Sequence, residues 1–109
     1  MCVFCKIIAG EIPAQKVYED ERVLAFHDIE PHAPVHVVII PKKHVPNCMA
    51  LQEGDLAGIL DAVQEVARRM NVTDSGFRLV MNCGKDAGQT VEHVHIHLLG
   101  GKQLSLNLA

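Results

Sequence analysis

The chain has no tryptophan, and three Phe and one Tyr make only 4% of its 109 residues aromatic. It also lacks a positive balance, with ten Lys and Arg against thirteen Asp and Glu and a formal net charge of −3. Few stacking platforms and no basic excess exclude a broad nucleic-acid-binding face. No run of about 18 apolar residues exists, so no membrane span is expected. Met1-Cys2-Val3-Phe4-Cys5-Lys6 has no basic segment leading into a long apolar stretch, so no signal peptide is expected. Internal repeats, low-complexity tracts and linkers are missing too. These absences point to a cytoplasmic protein, in which the four cysteines are thiols or metal ligands rather than disulfides. What remains is an ordinary globular composition, 49% apolar and 21% charged. The length suits one domain over residues 1–109. Seven histidines stand out against that background.

The hydrophobic pattern predicts the elements. Phe4, Ile7 and Ile8 fall at helical spacing within a short helix over 4–9, with Gly10 as its stop. Residues 15–19 and 23–26 read as strands, joined by an Asp20-Glu21-Arg22 hairpin turn. Pro31, His32, Ala33 and Pro34 form a rigid loop, because each proline fixes its own φ and extends its predecessor. Val35 to Ile40 is a β-branched run stopped by Pro41, a strand buried on both faces. Leu56, Ile59, Leu60, Val63, Val66, Ala67 and Met70 make one apolar stripe on a long helix. After the Asp74-Ser75-Gly76 turn come a strand over 77–82, a polar loop over 84–88 and a last strand over 92–98, with Gly100 and Gly101 ending it. Strands, one long helix and more strands predict an α+β fold with a mainly antiparallel sheet.

The last strand holds the surplus. His93, Val94, His95, Ile96, His97 and Leu98 alternate without a break. In a strand, Val94, Ile96 and Leu98 face a core and the three histidines share the opposite face, about 6.5–7 Å apart and too far for stacking. Three readings compete: a polar face that is histidine-rich, a His-x-His metal site, and acid–base or nucleophilic chemistry. The loop upstream helps to choose. Asn82-Cys83-Gly84-Lys85-Asp86-Ala87-Gly88-Gln89-Thr90 contains two glycines, an amide and a hydroxyl. Alone it is a surface turn. Beside aligned imidazoles it becomes an anion site, since glycines let backbone N–H groups approach phosphate.

Residues 93–99, His-Val-His-Ile-His-Leu-Leu, resemble the signature of the histidine triad (HIT) family. The likeness extends through Phe4-Cys5-Lys6-Ile7-Ile8, Glu11-Ile12-Pro13-Ala14, Ala25-Phe26-His27-Asp28-Ile29, Ala33-Pro34-Val35-His36, Ile40-Pro41-Lys42-Lys43-His44 and Gly88-Gln89-Thr90-Val91. These follow the order of the family's Hint branch and cover nearly the whole chain. The resemblance implies a five-stranded, mainly antiparallel sheet with one long and one short helix, in a two-fold homodimer with a continuous sheet. It implies hydrolysis of purine nucleoside phosphoramidates or acyl-nucleotides through a nucleotidyl-histidine intermediate. A dinucleoside polyphosphate hydrolase and a non-enzymatic, zinc-stabilised nucleotide-binding module are the alternatives.

By position, the resemblance makes His95 the nucleophile, His97 a phosphate contact that also helps protonate the leaving group, and His36 an orienting residue. It puts Asp28 on the ribose hydroxyls, His27 and Ile29 around the nucleoside, and Asn82, Gly88, Gln89 and Thr90 on the phosphate side. Some members complete a tetrahedral zinc site with a Cys-x-x-Cys pair, which here would be Cys2, Cys5, His44 and His93. The competing reading of Cys2 and Cys5 is two reduced thiols beside a short helix. No organic cofactor is implied. Cys48 and Cys83 have no partners at useful spacing and read as plain thiols. Lys42 and Lys43 read as a solvated pair, and His32 as an exposed loop residue. The Hint branch often ends in a segment with Trp and Pro that reaches the partner's site, whereas this chain ends Gly-Lys-Gln-Leu-Ser-Leu-Asn-Leu-Ala.

Overall fold

A computed structural model describes residues 2–106. Helix α1 spans Val3–Ile8, and strands β1 (Lys16–Glu19), β2 (Val23–His27) and β3 (Val35–Pro41) follow. Helix α2 spans Glu53–Arg69, and strands β4 (Phe77–Val80) and β5 (Ile96–Gly100) close the fold. The sheet order is β1-β2-β3-β5-β4 and every pairing is antiparallel. This is the predicted α+β architecture.

Local chemistry explains most boundaries. Asp20 makes the β1–β2 turn, its carboxylate accepting from the backbone N–H groups of Arg22 at 2.7 Å and Val23 at 2.8 Å. Gly10, at φ +80°, stops α1. Asp55 accepts from the Gln52 backbone N–H at 3.1 Å and caps α2. Acidic Glu53 and Asp55 lie at the N-terminal end of α2 and Arg68 and Arg69 at its C-terminal end, as the helix dipole favours.

The sheet has two packed faces. Val37 and Ile39 of β3 and Ile96 and Leu98 of β5 join Ile59, Ala62, Val63 and Val66 of α2 in the larger core. On the opposite face, Leu24, Phe26, Val38 and Ile40 are covered by Phe4, Ile7 and Ile8 of α1. β3 is therefore buried on both sides, as its β-branched run predicts. Its pairing extends through Pro41, which lies opposite Val23.

Three expectations need correction. The apolar stripe of α2 is narrower than predicted, because Leu56 and Leu60 are each 53% exposed. One helix about 10 Å wide cannot cover five strands spaced about 4.8 Å apart. The helix packs chiefly over β1, β2 and β3, and Phe77 and Leu79 of β4 stay exposed. β4 itself stops at Val80, so Asn82 lies beyond it. The last strand begins at Ile96, not Glu92. Upstream, the Val94 N–H donates to the Val45 carbonyl at 2.7 Å, which takes that amide out of the ladder.

Candidate functional site

The alternation of residues 93–98 survives the late start of β5. Val94, Ile96 and Leu98 enter the α2-side core. His93 and His95 are buried and His97 is half-buried on the α1 side, with the Phe4 ring against both His93 and His95. The His95 and His97 ring centroids are 5.2 Å apart at 78°, an edge contact rather than a stack. The rings lean together, closer than the strand repeat alone implies.

Hydrogen bonds settle the tautomers. His95 Nδ1 lies 2.8 Å from the His93 carbonyl, which can only accept. Nδ1 therefore carries the proton, and Nε2 keeps a free lone pair. The His32 backbone N–H donates to His36 Nδ1 at 3.1 Å, so the His36 proton sits on Nε2. That Nε2–H faces His97 Nδ1 at 2.9 Å and Asp28 Oδ2 at 3.4 Å. His97 Nδ1 accepts, and the His97 proton lies on Nε2. One imidazole thus offers a lone pair while its neighbour offers a proton. Burial is the main influence that pushes both His36 and His97 below the usual histidine range. The Asp28 carboxylate opposes the shift at His36, and His95 and His36 reinforce it at His97.

A cavity of about 350 Å³ opens beside these rings. Its lining includes His27, Asp28, Ile29, Thr90, His95 and His97, six of the expected nucleotide-site residues. Asp28 Oδ1 accepts from the Glu30 N–H at 2.8 Å, which holds the carboxylate at the rim. The apolar wall was missed in the sequence reading. Phe4 and Ile7 come from α1, and Phe26 and Val38 from the sheet. The signal was the apolar spacing of residues 4–8, which needed a second sheet face to acquire meaning.

Gly88 and Gln89 lie at a second cavity, of about 450 Å³, which shares Thr90 with the first. Gly88 takes a left-handed conformation, φ +78°, after the 3₁₀ turn Lys85–Ala87. The Gln89 side chain braces its own loop. Its Oε1 accepts from the Gly84 N–H at 2.8 Å, and its Nε2 donates to the carbonyls of Pro46 at 2.7 Å and Val91 at 3.0 Å. Asn82 is half-buried and lines neither cavity.

Cys2, Cys5, His44 and His93 converge on one point. The Sγ–Nδ1 distances run from 3.3 to 3.7 Å, and the two Nδ1 atoms are 3.2 Å apart. A tetrahedral ion with bonds of about 2.3 Å to sulfur and about 2.0–2.1 Å to nitrogen requires roughly 3.6 Å and roughly 3.3 Å. His93 also donates its Nε2–H to the Pro41 carbonyl at 2.8 Å, leaving Nδ1 unprotonated towards the sulfurs. The donor set and spacing fit a metal ion. A hydrogen bond with Cys2, and then burial, raises the Cys5 thiol above its ordinary range, so an ion must displace a proton there. Asp28, His36 and His97 form a second cluster of possible ligands. There His36 Nε2 carries a proton, so it is no free ligand.

One minor expectation changes and another gains a role. Cys48 and Cys83 lie near each other, and Cys83 is the main influence that raises the Cys48 thiol above its ordinary range. His32 is exposed as predicted, yet its backbone N–H fixes the His36 tautomer.

Residues 9–104 match the model of the HIT domain. A HIT family hydrolase from Clostridium thermocellum is 49% identical with a TM-score of 0.93, covering 99% of this chain and 96% of that one. A HIT family hydrolase from Legionella pneumophila Philadelphia 1 is 46% identical with a TM-score of 0.92, covering 97% of each chain. A histidine triad nucleotide-binding protein from Candida albicans is 33% identical with a TM-score of 0.86, covering all of this chain and 87% of the other.

Proposed function

The chain belongs to the HIT domain family, and from that premise we propose that it hydrolyses purine nucleoside phosphoramidates or acyl-nucleotides through a nucleotidyl-histidine intermediate. The observation that carries this reading is the complementary pair of tautomers, a lone pair on His95 Nε2 beside a proton on His97 Nε2. His95 Nε2 attacks the α-phosphorus, and the bond from phosphorus to the amine or acyl oxygen breaks. The His97 Nε2–H donates a hydrogen bond to the departing group, which leaves as a carboxylate or, as an amine, takes its proton from solvent. Attack makes the His95 ring cationic, and the His93 carbonyl on Nδ1–H stabilises that charge. Water then displaces the nucleotide from His95, gives up its proton to solvent, and nucleoside monophosphate is released. Two easier displacements replace one hard one.

Asp28 accepts the ribose hydroxyls, with His27 and Ile29 flanking the nucleoside. Phe4, Ile7 and Phe26 give the base an apolar wall, and the cavity volume suits a small ligand. Gly88, Gln89 and Thr90 form the phosphate side, and Asn82, which lines neither cavity, is left out of it. The nucleotide-binding relative from Candida albicans and the two relatives described as hydrolases support the same reading.

Zinc is the ion we assign to Cys2, Cys5, His44 and His93, one per chain, with no organic cofactor. Two thiolates and two imidazoles would close its coordination, tying the N-terminal segment to the stretches after β3 and before β5 and leaving no position open to substrate. We also assign an isologous homodimer. Phe77 and Leu79 lie opposite Gly100 and Leu98, so they share the α2 side of the sheet, and they are exposed along with Leu56 and Leu60. The free edge of β4 lets a two-fold copy continue the sheet. All four cysteines are free thiols, which accords with the cytoplasm.

Rapid-quench mass spectrometry with an adenosine phosphoramidate tests the mechanism. Adenylylated protein with the adduct on His95 is expected, and His95→Ala should form none. Full turnover by His95→Ala would overturn it. Comparing kcat/KM for a phosphoramidate and for diadenosine polyphosphates checks the substrate class.

A further inference from the structure

We propose that the Cys2–Cys5–His44–His93 group, loaded with a divalent metal, is the positioning element of the nucleotide cavity: it seats α1 as the cavity wall and holds the His95 ring through the His93 backbone. The His95 half of this inference rests on the histidine-transfer reading above.

α1 has six residues, none of them buried. A helix of that length does not sustain itself in water. Two things dock it: the apolar contacts of Phe4, Ile7 and Ile8, and its two thiols. Cys2 is also the helix cap, its Sγ accepting the Cys5 N–H at 3.2 Å. The first turn of α1 and the ligand group are thus one structure. That same turn supplies Val3 and Phe4 to the cavity, with Ile7 one turn on. Releasing the sulfurs releases the wall.

The second branch runs through His93, whose side chain is fully buried. Its Nδ1 faces the two sulfurs and His44, its Nε2–H is held by the Pro41 carbonyl, and its own carbonyl takes the His95 Nδ1–H. A metal at Nδ1 would fix the ring at both nitrogens and so fix the backbone whose carbonyl orients His95, two residues on. Phe4 links the branches, with its ring 5.8 Å from His93 and 5.0 Å from His95. An ion that only stabilised the fold would have no need to share a residue with His95 and a helix with the cavity.

The test compares zinc-loaded protein with chelator-dialysed protein below the melting temperature of both. AMP affinity is measured by calorimetry, amide exchange over residues 3–8 and over β2 and β3 by mass spectrometry, and the His95 ring by nitrogen NMR. Removing zinc should weaken AMP binding about 10-fold, the scale on which outer supports of a site act. It should also speed exchange in residues 3–8 but not in β2 or β3, and shift the His95 ring nitrogens. Added zinc should reverse all three changes. Cys5→Ser should match the dialysed protein, and dialysis of wild type keeps the test decisive if that variant does not fold. Phosphoramidate turnover should lose both in KM and in kcat. The proposal is overturned if the dialysed, folded protein keeps its AMP affinity, its exchange at residues 3–8 and its His95 signals, or if the chain takes up no divalent metal. A zinc-loaded protein that turns over no phosphoramidate, yet shows the affinity, exchange and NMR responses, would defeat the histidine-transfer reading alone.

Discussion

His36 Nε2 and His97 Nδ1 meet at 2.9 Å across neighbouring strands, and the direction of that hydrogen bond is set from outside the pair. The His32 backbone N–H occupies the far nitrogen of His36, which forces the His36 proton towards His97. His97 is left with its own proton on the cavity side. A backbone amide in an exposed loop thereby decides which imidazole presents an N–H to the leaving group.

Replacing His36 should therefore damage leaving-group stabilisation more than binding. His36→Ala frees His97 to take the other tautomer, and kcat should fall about 100-fold with little change in KM, the low end for loss of one positioned hydrogen-bond donor. The loss should shrink with a leaving group that needs less stabilisation. Steady-state kinetics on a series of leaving groups checks this. An equal loss across the series would show that His36 acts elsewhere.

The depressed histidines also set a pH dependence. The folded state holds His36 and His97 below their ordinary value of 6.5, so the unfolded chain binds more protons once the pH drops below that value. Stability contributed by these two groups is then complete above pH 6.5 and declines as the pH falls towards their folded values. The melting temperature should drop between pH 7 and pH 5. The drop should be smaller in His36→Asn and His97→Asn, and calorimetric melts across that range read it directly.

The uncovered flank predicts the assembly. Leu79 is 46% exposed and Leu60 is 53% exposed, so a charge at either costs the isolated fold little. In a two-fold dimer the same charge meets its own copy across an apolar seam. Leu79→Asp or Leu60→Asp should convert a dimer to a folded monomer in sedimentation, with the far-UV spectrum unchanged. A wild type that sediments as a monomer would remove the assembly assignment.

Two glycines separate strain from collision. Both Gly76, at φ +99°, and Gly101, at φ +84°, occupy the left-handed region. A Cβ at Gly76 meets open space, whereas one at Gly101 lies 3.0 Å from the Pro34 Cβ and 3.3 Å from the Val35 backbone nitrogen. Gly76→Ala should cost about 1 kcal/mol of backbone strain, and Gly101→Ala measurably more. Because Gly101 abuts the start of β3, only Gly101→Ala should also disturb His36 and lower turnover. Urea melts and kinetics on the pair distinguish the two effects.

Much of the candidate site was legible because its pattern is local. The period of two in residues 93–98 puts Val94, Ile96 and Leu98 into the core and leaves the histidines on the other side, even though the ladder starts only at Ile96. The α2 periodicity located the helix but not its edge. Leu56 and Leu60 carry the same apolar signal as Ile59 and Val63, and only the packing of the helix on the sheet separates the buried pair from the exposed one. Cys48 and Cys83 looked solitary because their proximity depends on two loops that approach each other in space.

The sequence by itself determined which residues carry chemistry and on which face of which element they lie. Backbone sterics repeat side chains every two residues in a strand and every 3.6 in a helix, so those assignments need no long-range contact. Only the tertiary structure decided where each proton sits and what each ligand meets. Cys2 reaches His93 across 91 positions of chain, and His36 reaches His97 across 61. A tautomer is fixed by the donor or acceptor opposite the far nitrogen, and that group arrives only when the strands, the loop at His32 and the short first helix have packed together.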